Sequence, residues 1–310
     1  MPDPFEALRA PITPVDPDPG FAARLRARMV RALTIPGGVD MSRIDVDRVD
    51  VDRVDEPRPP AGPRWSGGTR HGDLGYISYQ LPDVERGVAF YSAVLGWRFD
   101  PPEGPGHPGR LVGDSLPMTN LWPADARPGL LLCWRIDDMA EAVERVRAAG
   151  GTAEPVQEEP FGLLVMCVDD QGMPFGMWEP TAASKAEVAD VDPATRPLNG
   201  TQAGDVSYMT IEVVDSARTR AFYGAVLGWS FHPGRVGDGW GVDGPMPMHG
   251  LSGGHAEATA VPQFRVDDIR AAVDRVRAAG GTATDPQQFD YGWSAECADD
   301  QGVRFYLGQM

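Results

Sequence analysis

The sequence predicts an α+β protein made of two tandem copies of one domain, each copy holding two βαβββ units. The stretch from about Asp73 to Pro180 recurs as the stretch from about Asp205 to Met310. Within each copy, apolar residues alternate with a period of two and then with a helical period, and this order occurs twice. Aspartates stand where the helical periods begin, and glycines stand where they end. These three observations together predict four units in one chain.

The repeats divide the chain into four segments. Residues 1–70 form an N-terminal extension, in which a short amphipathic helix is predicted at about 19–33 and an Asp-rich linker at 45–55. Residues 73–180 form the first domain, residues 181–203 form a second linker, and residues 204–310 form the second domain. The linkers are assigned because they carry no apolar periodicity.

The first unit of the first copy begins with a half-buried strand, GYISYQL. Asp83 is predicted to cap a helix that buries Phe90 and Tyr91 and stops at Gly96. The segments WRFD, RLVGD and PMTNLW follow as candidate strands.

The second unit begins with the strand LLLCWRI. Asp138, with Glu141 three residues later, resembles a capping box, and Gly150 and Gly151 end the helix. GTAEPV, LLVMCV and FGMWE supply three more strands, so the unit repeats the order of the first.

Composition limits the classes of partner. A net charge of -17 disfavours nucleic acid, whose phosphates require a basic face. Three scattered cysteines indicate neither a disulfide framework nor a zinc cluster. We expect a cytoplasmic protein without a membrane segment, because the sequence shows no leader pattern and no long apolar run. A small organic molecule is the expected partner. The sequence does not decide whether the protein forms a homodimer.

Several motifs carry a family resemblance. The segments PDVERGVAFYSAVLGW, DDMAEAVERVRAAGG and VDDQGMPFGMWEP, with their counterparts in the second copy, resemble the vicinal oxygen chelate superfamily. Its members include glyoxalase I, extradiol dioxygenases and bleomycin resistance proteins. The resemblance implies curved mixed sheets around a cleft, where catalytic members hold a divalent metal with His, Gln or Glu. This chain is similar to the tandem, metal-free, glyoxalase-like branch.

The expected ligand positions carry other residues here. Counting back seven residues from the aspartates that open the helices gives Tyr76, Tyr208, Leu131 and Val261. The closing glutamate positions fall on Gly176 and Tyr306. The two remaining positions fall near Thr119 or Asn120 and near His249 or Gly250. We therefore predict no metal and no cofactor, since Tyr, Leu, Val and Gly do not supply a dication with suitable ligands.

The remaining polar and aromatic residues of the two clefts predict a ligand pocket. Its candidate ligand-binding residues are Tyr76, Ser78, Gln80 and Trp178 in the first copy and Tyr208, Thr210, Glu212, His249 and Tyr306 in the second. Such a surface is typical of one that binds a flat, partly polar molecule. We predict binding of a small aromatic or drug-like metabolite, for sequestration or self-resistance, rather than catalysis.

Other interpretations stay open. His249 and Glu212 are weak candidates for acid–base catalysis in a metal-independent isomerase, cyclase or lyase of secondary metabolism. A metal-dependent glyoxalase or dioxygenase is less favoured. The aromatic residues also suit a scaffold in which they only fill the clefts.

Overall fold

The computed structural model describes residues 69–101, 108–113, 115, 117–124, 128–182, 185, 200 and 202–310. The predicted helix at 19–33, the Asp-rich linker and most of the 181–203 linker lie outside the described residues. Among the described residues, no helix is long and apolar enough to cross a membrane.

The first repeat contains two helices and eight strands in the part of the chain that the structure describes. The helices are α1 (Val84–Leu95) and α2 (Met139–Ala148). The strands are β1 (Leu74–Leu81), β2 (Arg110–Leu111), β3 (Met118–Pro123), β4 (Gly129–Arg135), β5 (Thr152–Ala153), β6 (Gln157–Glu159), β7 (Gly162–Val168) and β8 (Pro174–Pro180). They form one mixed sheet in the order β2-β3-β1-β4-β8-β7-β5, with β6 on β7.

The second repeat has the same layout with one more described strand. Its helices are α3 (Ser216–Leu227) and α4 (Ile269–Ala278). Its strands are β9 (Val206–Glu212), β10 (Ser230–Pro233), β11 (Gly239–Asp243), β12 (Met248–Ser252), β13 (Thr259–Arg265), β14 (Thr282–Ala283), β15 (Gln287–Phe289), β16 (Gly292–Ala298) and β17 (Arg304–Gln309). The order is β10-β11-β12-β9-β13-β17-β16-β14, with β15 on β16. In the first repeat, the predicted WRFD strand is reduced to a bridge between Phe99 and Val112.

The predicted helix ends are confirmed. Asp83 accepts a hydrogen bond from the Arg86 amide, and Gly96 has a φ of 69°, which favours glycine. Asp138 caps α2 in the same way through the Glu141 amide. The Glu141 side chain pairs with Arg145, so it does not close the predicted capping box.

The core lies between the two sheets. Helix α1 packs on α4, α2 packs on α3, and β4 contacts β13, so each repeat turns its helical face toward the other. Fully buried aromatic side chains from both repeats meet there: Tyr79, Tyr91, Phe264 and Phe305 on one side and Trp134, Phe175, Phe222 and Tyr223 on the other. The face of each sheet that carries no helix, here called its open face, therefore points away from the other repeat.

Candidate functional site

The first open face is defined by the alternate residues of β1. Ile77 and Tyr79 are fully buried against the core, so Tyr76, Ser78 and Gln80 point to the opposite side. Strand pairing extends this face into a central row across five strands. The row runs Met118, Tyr76, Cys133, Gly176 and Met166.

The second open face carries the corresponding row with different chemistry. Its members are Met248, Tyr208, Gln263, Tyr306 and Glu296. The first row is uncharged and mostly apolar, whereas the second ends in a carboxylate.

The first row is flanked by an aromatic side chain on β8 and by polar side chains on β1 and β3. Trp178 lies over Gly75, and its indole N–H donates to the Phe161 carbonyl at 3.1 Å. Gln80 donates to the Ser78 hydroxyl at 2.8 Å, and Ser78 donates to Asn120 at 2.7 Å. These three uncharged side chains form a hydrogen-bonded chain that can fix the orientation of a bound polar group.

The thiol in the first row is not a nucleophile at neutral pH. Cys133 lies against Gly176, where even a Cβ would be 3.0 Å from its sulfur. Burial raises the pKa of Cys133 to about 12. Because the thiolate is the reactive species, this side chain acts as a small apolar group.

On the second open face, Tyr208 lies across the sheet. Its hydroxyl occupies the space that a Cβ at residue 250 would need, which explains the glycine there. Burial raises the pKa of Tyr208, and burial followed by the nearby Glu296 and Glu212 raises the pKa of Tyr306. Both tyrosines therefore stay protonated at neutral pH and can donate hydrogen bonds.

Glu212 is engaged by neighbouring side chains. Arg304 donates two hydrogen bonds to its carboxylate, at 2.6 and 3.0 Å, in a bidentate pair. His255 approaches the same carboxylate at 3.5 Å and contacts the Ser252 hydroxyl at 3.0 Å. Sequence reasoning missed Arg304 and His255 as parts of this face. The alternation of β17 places Arg304 on the same side as Tyr306, which was the available signal.

His249 lies on the other side of the sheet from Glu212. It pairs in register with Met209, is 1% exposed and packs against Trp229 with ring centroids 5.3 Å apart. Burial lowers the pKa of His249 to about 4, so the ring is neutral. The structure therefore does not bring the two weak catalytic candidates together, and Gly250 holds the open-face position. In the first repeat, Asn120 holds the matching position and Thr119 faces the core.

The other predicted site residues divide into two groups. Tyr76, Ser78, Gln80 and Trp178 share the first open face, and Tyr208, Thr210, Glu212 and Tyr306 share the second. The two groups do not form a common pocket, because the two faces point in opposite directions.

The residues of both faces do not fit a divalent metal. Within the described ranges there is no group of three or more His, Cys, Asp and Glu residues placed to bind a metal ion. The second face carries two carboxylates: Glu212 is already bonded to Arg304, and Glu296 belongs to no such group of three within the same ranges. A metal would have to compete with that charged pair and with protonated tyrosines.

The family is established by comparison with known families. The model for the glyoxalase-like domain matches residues 76–177 and again residues 208–308. The chain belongs to the glyoxalase-like domain family. No curated protein sequence is significantly similar to this glyoxalase-like chain.

Solved structures share the fold at low identity. One is 2,2',3-trihydroxybiphenyl 1,2-dioxygenase from Sphingomonas wittichii, at 18% identity and a TM-score of 0.57, covering 78% of this chain and 91% of that one. Another is the Mn(II)-bound glyoxalase from Novosphingobium aromaticivorans, at 17% identity and a TM-score of 0.57, covering 78% and 83%. The 2,3-dioxygenase LapB from Pseudomonas sp. KL28 has 15% identity and a TM-score of 0.57, covering 78% and 93%. These likenesses establish the vicinal oxygen chelate fold, with two tandem domains, and no activity.

Proposed function

We propose that this glyoxalase-like protein binds a small, uncharged aromatic molecule on its first open face, without a metal, as a sequestering or self-resistance protein does. The observation that carries the proposal is the central row from Met118 to Met166, which has no charged group and whose single thiol, Cys133, is protonated at neutral pH. An aromatic ring gains most from such a surface, because burying it costs no desolvation of charge.

The surroundings of the row support this ligand class. Trp178 and Tyr76 supply partly exposed rings against which a flat ligand can stack. The hydrogen-bonded chain of Gln80, Ser78 and Asn120 supplies neutral donors and acceptors for one hydroxyl or carbonyl group. The ligand would be a ring with a polar substituent on one edge.

The state of the titratable groups favours binding over catalysis. The thiol of Cys133 is protonated at neutral pH, and so are the hydroxyls of Tyr208 and Tyr306. The carboxylate of Glu212 is held by Arg304. The thiol and the two hydroxyls are therefore not poised as general bases near pH 7.

Titration with 2-naphthol tests the proposal. We expect saturable binding that quenches tryptophan fluorescence, survives treatment with a chelator and is lost in Trp178→Ala. Trp293→Ala is the matched control, because Trp293 is a half-buried tryptophan of the second repeat. Binding that a chelator abolishes, or that both variants weaken equally, would rule the proposal out.

A further inference from the structure

Side chains from the two opposite edges of the second sheet approach each other across its open face. Arg235 follows β10 at one edge, and Asp290 and Tyr291 follow β15 at the other. The Arg235 guanidinium lies 3.8 Å from the Asp290 carboxylate and 5.5 Å from the centre of the Tyr291 ring. The second open face is therefore the wall of a cleft, and these side chains bridge its mouth.

The charge on this wall is not balanced. Arg304 neutralises Glu212, and Arg235 pairs with Asp290. Glu296 is exposed beside Tyr306 in the central row, and within the described residues its carboxylate has no hydrogen-bond or ion-pair partner. The equivalent residue of the first repeat is Met166, so this charge belongs to the second cleft alone. Arg304 is close enough to feel the Glu296 charge, but it is already bonded to Glu212, so the wall keeps one carboxylate in excess. An excess negative charge inside a curled sheet attracts a cation.

Exposed aromatic rings lie at the end of the same wall. Phe289 and Tyr291 stack in parallel, with centroids 5.2 Å apart, and are 44% and 45% exposed. The first repeat has Glu159 and Phe161 at these positions. The stacked pair of rings therefore belongs to the second cleft alone.

The spacing of these groups defines the length of a ligand. Phe289 pairs with Gly292 on β16, four residues before Glu296. At about 3.3 Å per residue, the two positions are about 13 Å apart along the strand. Since both side chains reach into the cleft, a molecule that meets both needs a ring and a cation joined by a chain of several atoms.

We propose that the second cleft is a separate binding site for an arylalkyl cation. The ammonium or guanidinium group lies against the Glu296 carboxylate and the Tyr306 ring, and the aryl group packs on the Phe289–Tyr291 pair. This site uses a different sheet from the one proposed to bind an uncharged ring, so either proposal can fail without the other.

Calorimetric titration of the full-length protein with 4-phenylbutylammonium and with 4-phenylbutanol tests this site. The two probes share shape and differ in charge. We expect the ammonium to bind more tightly, and Glu296→Gln to lower its affinity about tenfold, because a charge-assisted contact is lost. The alcohol should bind Glu296→Gln and the parent protein alike. Tyr291→Ala should weaken both probes.

The matched control is Glu158→Gln, which removes an exposed carboxylate from the equivalent hairpin of the first repeat. It should leave both affinities unchanged. The proposal is overturned if neither probe shows saturable binding at millimolar concentration, if the two probes bind equally, or if Glu158→Gln acts like Glu296→Gln. Loss of ammonium binding in Trp178→Ala would move the site to the first open face and would also overturn it.

Discussion

Tyr208 and Gly250 depend on each other. The tyrosine hydroxyl occupies the volume of a Cβ at residue 250, so the ring lies flat across β12 only because residue 250 has no side chain. The first repeat combines Tyr76 with Asn120, and its tyrosine therefore cannot take the same pose. Both repeats thus carry a tyrosine seven residues before the aspartate that caps the first helix, but the two tyrosines have different neighbours. This difference helps to make the two faces chemically distinct.

Gly250→Ala should displace Tyr208 and lower the free energy of unfolding by about 1–3 kcal/mol through overpacking. The effect should shrink in the background of Tyr208→Ala, because the clashing ring is gone. Urea unfolding of the wild type, both single variants and the double variant measures this coupling. Additive effects of the two substitutions would contradict the contact.

His249 should make the fold sensitive to acid. Burial lowers its pKa to about 4 in the folded protein, from about 6.5 for an exposed histidine, so protons favour the unfolded state. The stability contribution is complete above pH 6.5 and is lost as the pH falls toward 4, by up to about 3 kcal/mol.

Urea unfolding of His249→Gln at pH 7 and at pH 4.5 checks this prediction. The variant should lose less stability than the wild type between the two pH values, since glutamine does not titrate there. His232→Gln, at an exposed histidine, should follow the wild type. An equal pH dependence in all three proteins would contradict the burial of His249 as a neutral ring.

The turns that follow β7 and β16 hold the two repeats together. Gln301 accepts a hydrogen bond from the Asp83 amide and donates one to the Asp83 carbonyl, both at 2.8 Å. Gln171 makes the corresponding contacts with Asp215 at the start of α3. Buried Tyr91 donates to Asp299 at 2.9 Å nearby. Each DDQG turn is therefore hydrogen-bonded to the start of the first helix of the opposite repeat.

Gln301→Ala should lower the free energy of unfolding by about 1–2 kcal/mol, because the Asp83 amide loses its acceptor and the Asp83 carbonyl keeps only the Gly87 amide as a donor. Arg145→Ala, which removes an exposed helix ion pair, should cost less than about 0.5 kcal/mol. Thermal unfolding of the two variants compares them. Equal losses of stability would indicate that the hydrogen bonds between Gln301 and Asp83 do not stabilise the protein.

Local signals predicted some of these features and missed others. The helix caps at Asp83 and Asp138 were predictable because an Asx residue before an apolar helical period acts within a few residues. The sequence could not predict which residues of β12 face the core, because a shift of one residue moves every side chain of a short strand to the other face. Only the pairing of β12 with β9 shows that His249 faces the core and Gly250 faces the open side of the sheet. The hydrogen bonds between Gln301 and Asp83 join residues that are far apart in sequence, and no local pattern predicts such a contact.

The whole molecule presents two clefts on opposite sides of one shared core. The duplication kept the elements that build that core, including the capped helices and the aromatic residues between the sheets. The open faces changed: Gly176 corresponds to Tyr306, Met166 to Glu296 and Trp178 to Gly308. Because each face has its own sheet, these changes did not require any rearrangement of the other repeat.

We propose above that the first open face binds an uncharged aromatic ring without a metal. The most direct measurement is a calorimetric titration of 2-naphthol into chelator-treated protein of verified metal content. We predict saturable binding with one molecule per chain and the same affinity before and after chelation. Binding that appears only when a divalent metal is restored would contradict it.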